Sequence, residues 1–326
     1  MSQPPTSPDT PGIALLEHVN INIDKQNRNE SLRFYSELLN LPPDVRRVEH
    51  IEHLGERTVW FNLGPSQMHL PKGTTNQRVR GHLGMYVRDS KSMQQLKERF
   101  VSTPYFQSET TDGTHADQTA ELVITGPGGN TFKFRVIDDL VSYESRGTQF
   151  SAGQSLLKDD ETDEVKCLYG KNPSAVEVIG LECVHFIVPK GAAHRIGAFY
   201  NHVFGAETMS MGDGATQVAI NWDGRMQQSL IFSEVSDSLP DYDGHHIAIY
   251  LGNGPEGYEK AYNNVEGLNL VWINPRFSDK VSTLETAKSE RQFRFKNIVD
   301  IDTGETIYEL EHEVRCSTHP SNSSRM

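Results

Sequence analysis

The sequence predicts an α+β fold: two tandem domains, each of paired βαβββ units that form a curled mixed sheet around a pocket. Three observations predict it. Length comes first, because 326 residues exceed what one ordinary core fills and suit two domains of roughly 130 to 150 residues. The chain also repeats itself. LLEHVN at 15–20 and ECVHFIV at 182–188 each lead into a helix-like stretch with an FY pair, GHLGMYV at 81–87 matches GHHIAIYL at 244–251, and GGNTFKFRV at 128–136 matches TGETIYELEHEV at 303–314. Lastly, apolar periodicity alternates between strand-like and helix-like in the same order in both halves.

The expected elements follow in order. Residues 1–12 are rich in Pro, Ser and Thr and read as a solvated tail. The first domain, 13–138, opens with the strand HVNINI and a helix over SLRFYSELLNL, where Leu32, Tyr35, Leu38 and Leu39 recur at helical spacing. Short strands VRRVEHI, RTVWFNL and SQMHLP come next, each bounded by Gly, Pro or Asn. GHLGMYV restarts the series, with KSMQQLKERF as its helix and AELVITG and NTFKFRVI as later strands. GPGGN at 126–130 joins two strands and reads as a hairpin turn. Residues 139–178, acidic and without periodicity, are expected to be a linker, with a short element around LVSYES. The second domain, 179–315, repeats the plan with strand LECVHFIV, helix AHRIGAFYNHVF, strands TQVAINW and MQQSLIF, strand HHIAIYL, helix GPEGYEKAYNNV, and strands NLVWINP, RQFRFKNIV and ETIYELEHEV. Residues 316–326 form a second tail.

Composition excludes several function classes. A net charge of −13 repels phosphate backbones and anionic lipid, so neither nucleic acid nor a membrane surface is the expected partner. The three cysteines, Cys167, Cys183 and Cys316, are far apart and in no metal or redox pattern, which predicts free thiols in a reducing compartment. No apolar run approaches the length of a membrane span and the N-terminus lacks a signal pattern, so the expected location is the cytoplasm. A phosphate-cradling loop, a nucleophile elbow and an HExxH helix are all missing from the sequence.

The repeat points to chemistry through a difference between its copies. Aligned on their histidines, His18 faces His185 and His82 faces His246, whereas Phe134 stands where the second copy has Glu309. The second copy alone then keeps two histidines and a carboxylate, a donor set for a divalent metal with open positions. His185, His246 and Glu309 are therefore the candidate ligands, on three strands that can converge on one ion. A register error of one or two would substitute His245 or Glu311. Trp222, Trp272, Phe293 and Phe295 are candidate pocket walls, and Arg225, Arg276 and Arg294 candidate cations for an acidic substrate.

The paired βαβββ units, the HV strand followed by an FY helix, and the terminal strand G-x-T-x-Y-E-L resemble the vicinal oxygen chelate superfamily, which includes glyoxalase I, fosfomycin-resistance proteins and extradiol ring-cleaving dioxygenases. The resemblance spans nearly the whole chain. It implies metal ligands on the first strand of one unit and the first and last strands of the next, at His185, His246 and Glu309, with Gln228, or Gln227 in the alternative register, as a further ligand. The ion would be Fe, Mn, Zn or Ni, and the partner a small oxygen-rich or aromatic substrate. Extradiol dioxygenases share the tandem arrangement with the metal in the second domain. Their histidine and tyrosine ahead of the final glutamate have no counterpart in RQFRFKNIVDIDTGETIYE, so a glyoxalase-like isomerase or lyase, or a non-catalytic ligand-binding protein, is the alternative. Glu311 and Glu234 are candidate general bases, and the chain is expected to be a monomer or homodimer.

Overall fold

Alternating apolar and polar residues make strand the commonest regular element among the described residues. In a computed structural model the described residues are 12–44, 58–110, 121–137, 177–212, 214–222, 226–252 and 254–320. The first half runs β1 (Ile13–Asn20), β2 (Ile23–Asp24), α1 (Arg28–Arg33), β3 (Val59–Leu63), β4 (Ser66–Leu70), β5 (Lys72–Gly73), β6 (Gly81–Val87), α2 (Ser90–Phe100), β7 (Phe106–Thr110), β8 (Glu121–Thr125) and β9 (Thr131–Val136). The second runs β10 (Val178–Pro189), α3 (Ala193–Phe204), β11 (Thr208–Ser210), β12 (Ala215–Trp222), β13 (Met226–Val235), β14 (His246–Leu251), α4 (Gly254–Gly267), α5 (Leu284–Glu290), β15 (Gln292–Val299) and β16 (Thr306–Cys316). Few helices and extensive mixed sheet give the expected α+β class. VRRVEHI, LVSYES, Cys167, the greater part of the linker and most of both tails lie outside the described residues.

The described residues form two compact units. One takes residues through His18 together with those from His185 onward, and the other takes those from Val19 to Val184, so that the division falls inside β1 and inside β10. In the first unit, strands neighbour one another in the orders β15-β16-β14-β1 and β11-β12-β13-β10. Here β14 and β16 are parallel and β15 and β16 antiparallel. The second unit has the order β10-β6-β9-β8-β7, with β6 and β9 parallel and β8 and β9 antiparallel, besides a hairpin of β3 and β4. The β8–β9 hairpin turns on the expected glycines: Gly126 N–H donates to Asn130 O at 2.9 Å, and Gly129 adopts φ 80°, which suits a residue without a side chain.

Helix α3 shows why its residues are helical and what it buries. Ile196, Phe199, Tyr200, Val203 and Phe204 fall on one stripe, all buried, and Gly205 at φ 62° ends the helix in the left-handed conformation. Phe199 and Phe204 meet Phe295 of β15 at ring-centroid distances of 5.8 and 6.0 Å. In the second unit Asp89 caps α2 by accepting the Ser92 N–H at 2.7 Å, an interaction worth about 1 kcal/mol. Cys183 and Cys316 are free, as expected. No described helix is long and apolar enough to cross a membrane.

Two expectations need correction, and one helix was not expected. SLRFYSELLNL is not one α-helix: α1 ends at Arg33 and Phe34–Leu38 continues as a π turn, with Leu39 N–H reaching Phe34 O at 2.9 Å. NLVWINP is not a strand, since Val271 makes a single bridge to Phe295 and Asn269 before it sits at φ 57°. Helix α5 went unpredicted because its seven residues carry one buried side chain, Ala287. What starts it is a reciprocal cap between Thr283 and Thr286.

Candidate metal centre

Strand phase decides which side chains can meet. In the β14–β16 ladder His246 lies opposite Glu311, Ala248 opposite Glu313 and Tyr250 opposite Arg315, so these polar residues share one face. Arg294 of β15 lies directly opposite Glu313, and its neighbours Phe293 and Phe295 point to the other face. β1 adds Glu17 and His18. The result is a buried cluster in the first unit. His18 Nε2 stands 3.4 Å from His246 Nε2 and 4.0 Å from Glu313 Oε2, and His246 Nε2 is 3.6 Å from that oxygen. Both histidine side chains are 1% exposed and the Glu313 side chain 5%.

Two members of this trio, His18 and Glu313, are each held by further groups. Glu17 takes the Nδ1 side of His18, which leaves Nε2 facing the other two. Arg315 bridges Glu17 and Glu313, with Nη1 at 3.1 Å from Glu17 Oε2 and Nε at 2.6 Å from Glu313 Oε1. Arg294 donates to Glu313 Oε2 at 2.5 Å, to Glu311 Oε1 at 2.8 Å and to Asp279 Oδ2 at 2.6 Å. Asn274 Nδ2 lies 2.8 and 2.9 Å from the two oxygens of Glu311. Burial opposes ionisation of Glu313, but the Arg315 and Arg294 guanidiniums outweigh it and hold the carboxyl well below the usual carboxylate range. Burial likewise lowers the His18 pKa despite the neighbouring Glu17, which keeps that ring neutral.

The residues fit a divalent cation on two counts. Three donor atoms separated by 3.4, 3.6 and 4.0 Å lie on a circle of radius about 2.1 Å, the length of a bond from zinc to imidazole nitrogen or carboxylate oxygen. Charge agrees. Among the described residues the ion pairs of Glu17, Asp279, Glu311 and Glu313 run to two guanidiniums, Arg294 and Arg315, so the cluster holds four carboxyl groups against two arginines. His246 Nδ1, buried and without a hydrogen-bond partner, is the one orphaned ring atom of the trio.

Of the residues singled out from sequence, the structure brings His246 into this cluster and places His185 and Glu309 elsewhere. His185 Nε2 bonds Ser233 Oγ at 2.8 Å. Glu309 lies on the part of β16 that runs beyond β14, is 42% exposed and pairs with Lys296 Nζ at 2.8 Å. Gln228 is buried, yet its amide is committed to the β1 backbone: Oε1 accepts the Leu16 N–H at 3.0 Å, which braces the strand that carries His18. Phe293 packs on Tyr258 and Tyr262, and Phe295 stacks on His312 at 4.2 Å, so both are core. Trp272 donates its backbone N–H to Arg294 O at 2.8 Å and lies 5.9 Å from Lys296 Nζ. Glu311 is held by Asn274 and Arg294, Glu234 Oε1 accepts the Ala193 N–H at 2.9 Å, and Arg276 is exposed. Arg225 and the side chains of Trp222 and Gln227 lie outside the described ones.

The alignment on histidines that points to His185 and Glu309 differs from the register of the two copies in the structure. The ladders correct it: β6–β9 pairs His82 with Thr131 and Gly84 with Lys133, as β14–β16 pairs His246 with Glu311 and Ala248 with Glu313. Lys133 is therefore the counterpart of Glu313, and Arg135 of Arg315. The supporting groups repeat as well: Arg135 pairs with Glu182 and lies 4.9 Å over the Tyr86 ring, as Arg315 pairs with Glu17 and lies 5.9 Å over Tyr250. LECV at 181–184 thus matches LEHV at 16–19, and Cys183 takes the place of His18. Burial raises the Cys183 thiol to about 12. Where the first unit has a carboxylate, the second has an ammonium.

No family model and no curated protein matches the chain. Among solved structures, a candidate dioxygenase from Bacillus subtilis is similar at 12% identity and TM-score 0.53, over 94% of this chain and 85% of that one. Glyoxalase I from Zea mays is similar at 13% identity and TM-score 0.52, over 95% of both chains. At these identities the likeness is one of fold alone: the chain shares the fold of these two structures.

Proposed function

We propose that the chain is a metal-dependent enzyme acting on a small oxygen-rich or aromatic substrate at a cation held by His18, His246 and Glu313. The observation that carries this reading is the convergence of two imidazole nitrogens and one ionised carboxylate oxygen within 4.0 Å in a buried cluster that is short of positive charge. Two histidines and a carboxylate form a donor set that leaves adjacent coordination positions open. When bound, the cation supplies Lewis acidity to vicinal oxygens of the substrate and, if it is Fe(II), a site for O2.

The protein's own groups prepare that site. Burial keeps the His18 ring uncharged, and Glu17 fixes the tautomer that presents Nε2 as a donor to the cation. Arg294 and Arg315 keep Glu313 ionised in surroundings that would otherwise protonate it. Phe277, edge-on to His246 at 5.5 Å, shields that imidazole from water. The donor set suits Fe(II) and zinc alike, so an iron-loaded protein would point to dioxygenase-type chemistry and a zinc- or nickel-loaded one to isomerase or lyase chemistry.

The test is elemental analysis of protein purified without added metal or a chelating tag, beside His18→Ala and Glu313→Gln. About one Fe, Mn, Zn or Ni per chain, lost in both variants, is expected, and the element found selects the assay. No metal in the wild type, before or after reconstitution, would refute the reading.

A further inference from the structure

Between α4 and α5 the residues Val271–Val281 have no regular secondary structure, yet nearly every anchor they make lands beside the metal cluster. Trp272 N–H donates to Arg294 O at 2.8 Å, Asn274 holds both oxygens of Glu311, and Asp279 Oδ2 accepts from Arg294 Nε at 2.6 Å. The Phe277 ring lies 4.3 Å from Arg294 Cζ and edge-on to His246. Lys280 Nζ closes the segment on itself through Asn274 O at 2.9 Å. Arg294 is common to three of these contacts, and it also grips Glu313 Oε2, the oxygen that faces both imidazoles. The other copy of the repeat separates this role from plain sheet packing. β8–β9 pairs Val123 with Lys133, as β15–β16 pairs Arg294 with Glu313, so the copy without the histidine pair has valine where this one has a guanidinium.

We propose that Arg294 is a positioning residue that couples cation binding at His18, His246 and Glu313 to the ordering of the 271–281 segment. The inference rests on the metal reading above. His18, His246 and Glu313 would hold the cation, and Glu313 Oε2, shared with Arg294, would then lean less on the guanidinium. The other arms of the guanidinium carry that change to Asp279 and Glu311, and through Asn274 and Phe277 to the segment. Coupling of this kind is reciprocal: if the cation orders the segment, loosening the segment must weaken the cation by the same factor. A lysine at 294 keeps the charge but loses the fork that reaches three carboxylates at once.

Amide hydrogen exchange of the full chain, with and without Mn2+ or Zn2+ and beside metal affinity from chelator competition, tests the coupling. In the wild type, added cation is expected to slow exchange within 271–281. Arg294→Lys and Asn274→Ala, the second of which changes no charge and touches no ligand, are expected to lose that slowing and bind the cation about tenfold more weakly at unchanged stoichiometry. Cation uptake that leaves exchange in 271–281 unaltered, or variants that bind as tightly as the wild type, would overturn the inference while sparing the metal site. No uptake by the wild type would sink both, and the stoichiometry measurement distinguishes the cases.

Discussion

Arg315→Met and Arg135→Met remove the same guanidinium from the two copies of the repeat, and burial predicts very different costs. Arg315 is 11% exposed and its partners Glu17 and Glu313 are 0% and 5% exposed, so the substitution strands charge that water cannot reach. Taking one partner from a buried ion pair costs about 3–5 kcal/mol. Arg135 and Glu182 are 33% and 23% exposed, and a pair so open to solvent contributes about 1 kcal/mol or less. Both arginines cover a tyrosine ring, which makes the loss of stem packing similar in the two variants. The assay is denaturant and thermal unfolding of both variants in the presence of a chelator, so that metal linkage does not enter. Arg315→Met should lower Tm by on the order of 10 °C and Arg135→Met by a few degrees at most. Equal losses, or a loss below about 1 kcal/mol for Arg315→Met, would refute the claim that the carboxylates around His18 depend on this guanidinium.

Further outcomes follow from the same geometry. His185→Ala should leave metal content unchanged, measured beside His18→Ala, because its ring serves Ser233. Gly84→Ala should destabilise by about 1–3 kcal/mol, since a Cβ there would stand 2.5 Å from Cys183 Sγ, and Cys183→Ala in the same chain should recover part of the loss in a double-mutant cycle. Burial works against ionisation of Glu177, but bonds from Arg99 at 2.8 Å and from Asn40 overcome it and depress the folded-state pKa. Stability from Glu177 is thus present above the unfolded carboxylate value and is lost as pH falls through the folded one. The destabilisation by Glu177→Gln, read from urea midpoints at several pH values, should be largest near neutrality and fade in acid.

Much of the fold was legible because period and punctuation agree. The FY helix of the second half, the strands around GPGGN and the KSMQQLKERF helix each follow from a local pattern. The site was less legible, for a reason of register. A histidine is conspicuous in sequence, so the repeat was anchored on His18 and His185, two positions out of phase with LEHV and LECV. The last strand misled in the same way. β16 has eleven residues where β9 has six, and its extra length precedes the ladder with β14, so Glu309 falls before the ladder and Glu313 within it. No local pattern in 269–283 announces Arg294, Asn274 and Asp279 as one network, since they meet through an irregular segment.

Because Lys133 and Cys183 stand where the other copy has Glu313 and His18, the chain would carry, on the proposed function, its own metal-blind twin. A property that depends on a cation should answer to substitutions around β16 and ignore the matching ones around β9, within one molecule and one preparation. The twin also sets how far apart the two copies now lie. Restoring a trio to the second would take Cys183→His and Lys133→Glu together, since one alone leaves either an ammonium facing two imidazoles or a carboxylate with a single histidine.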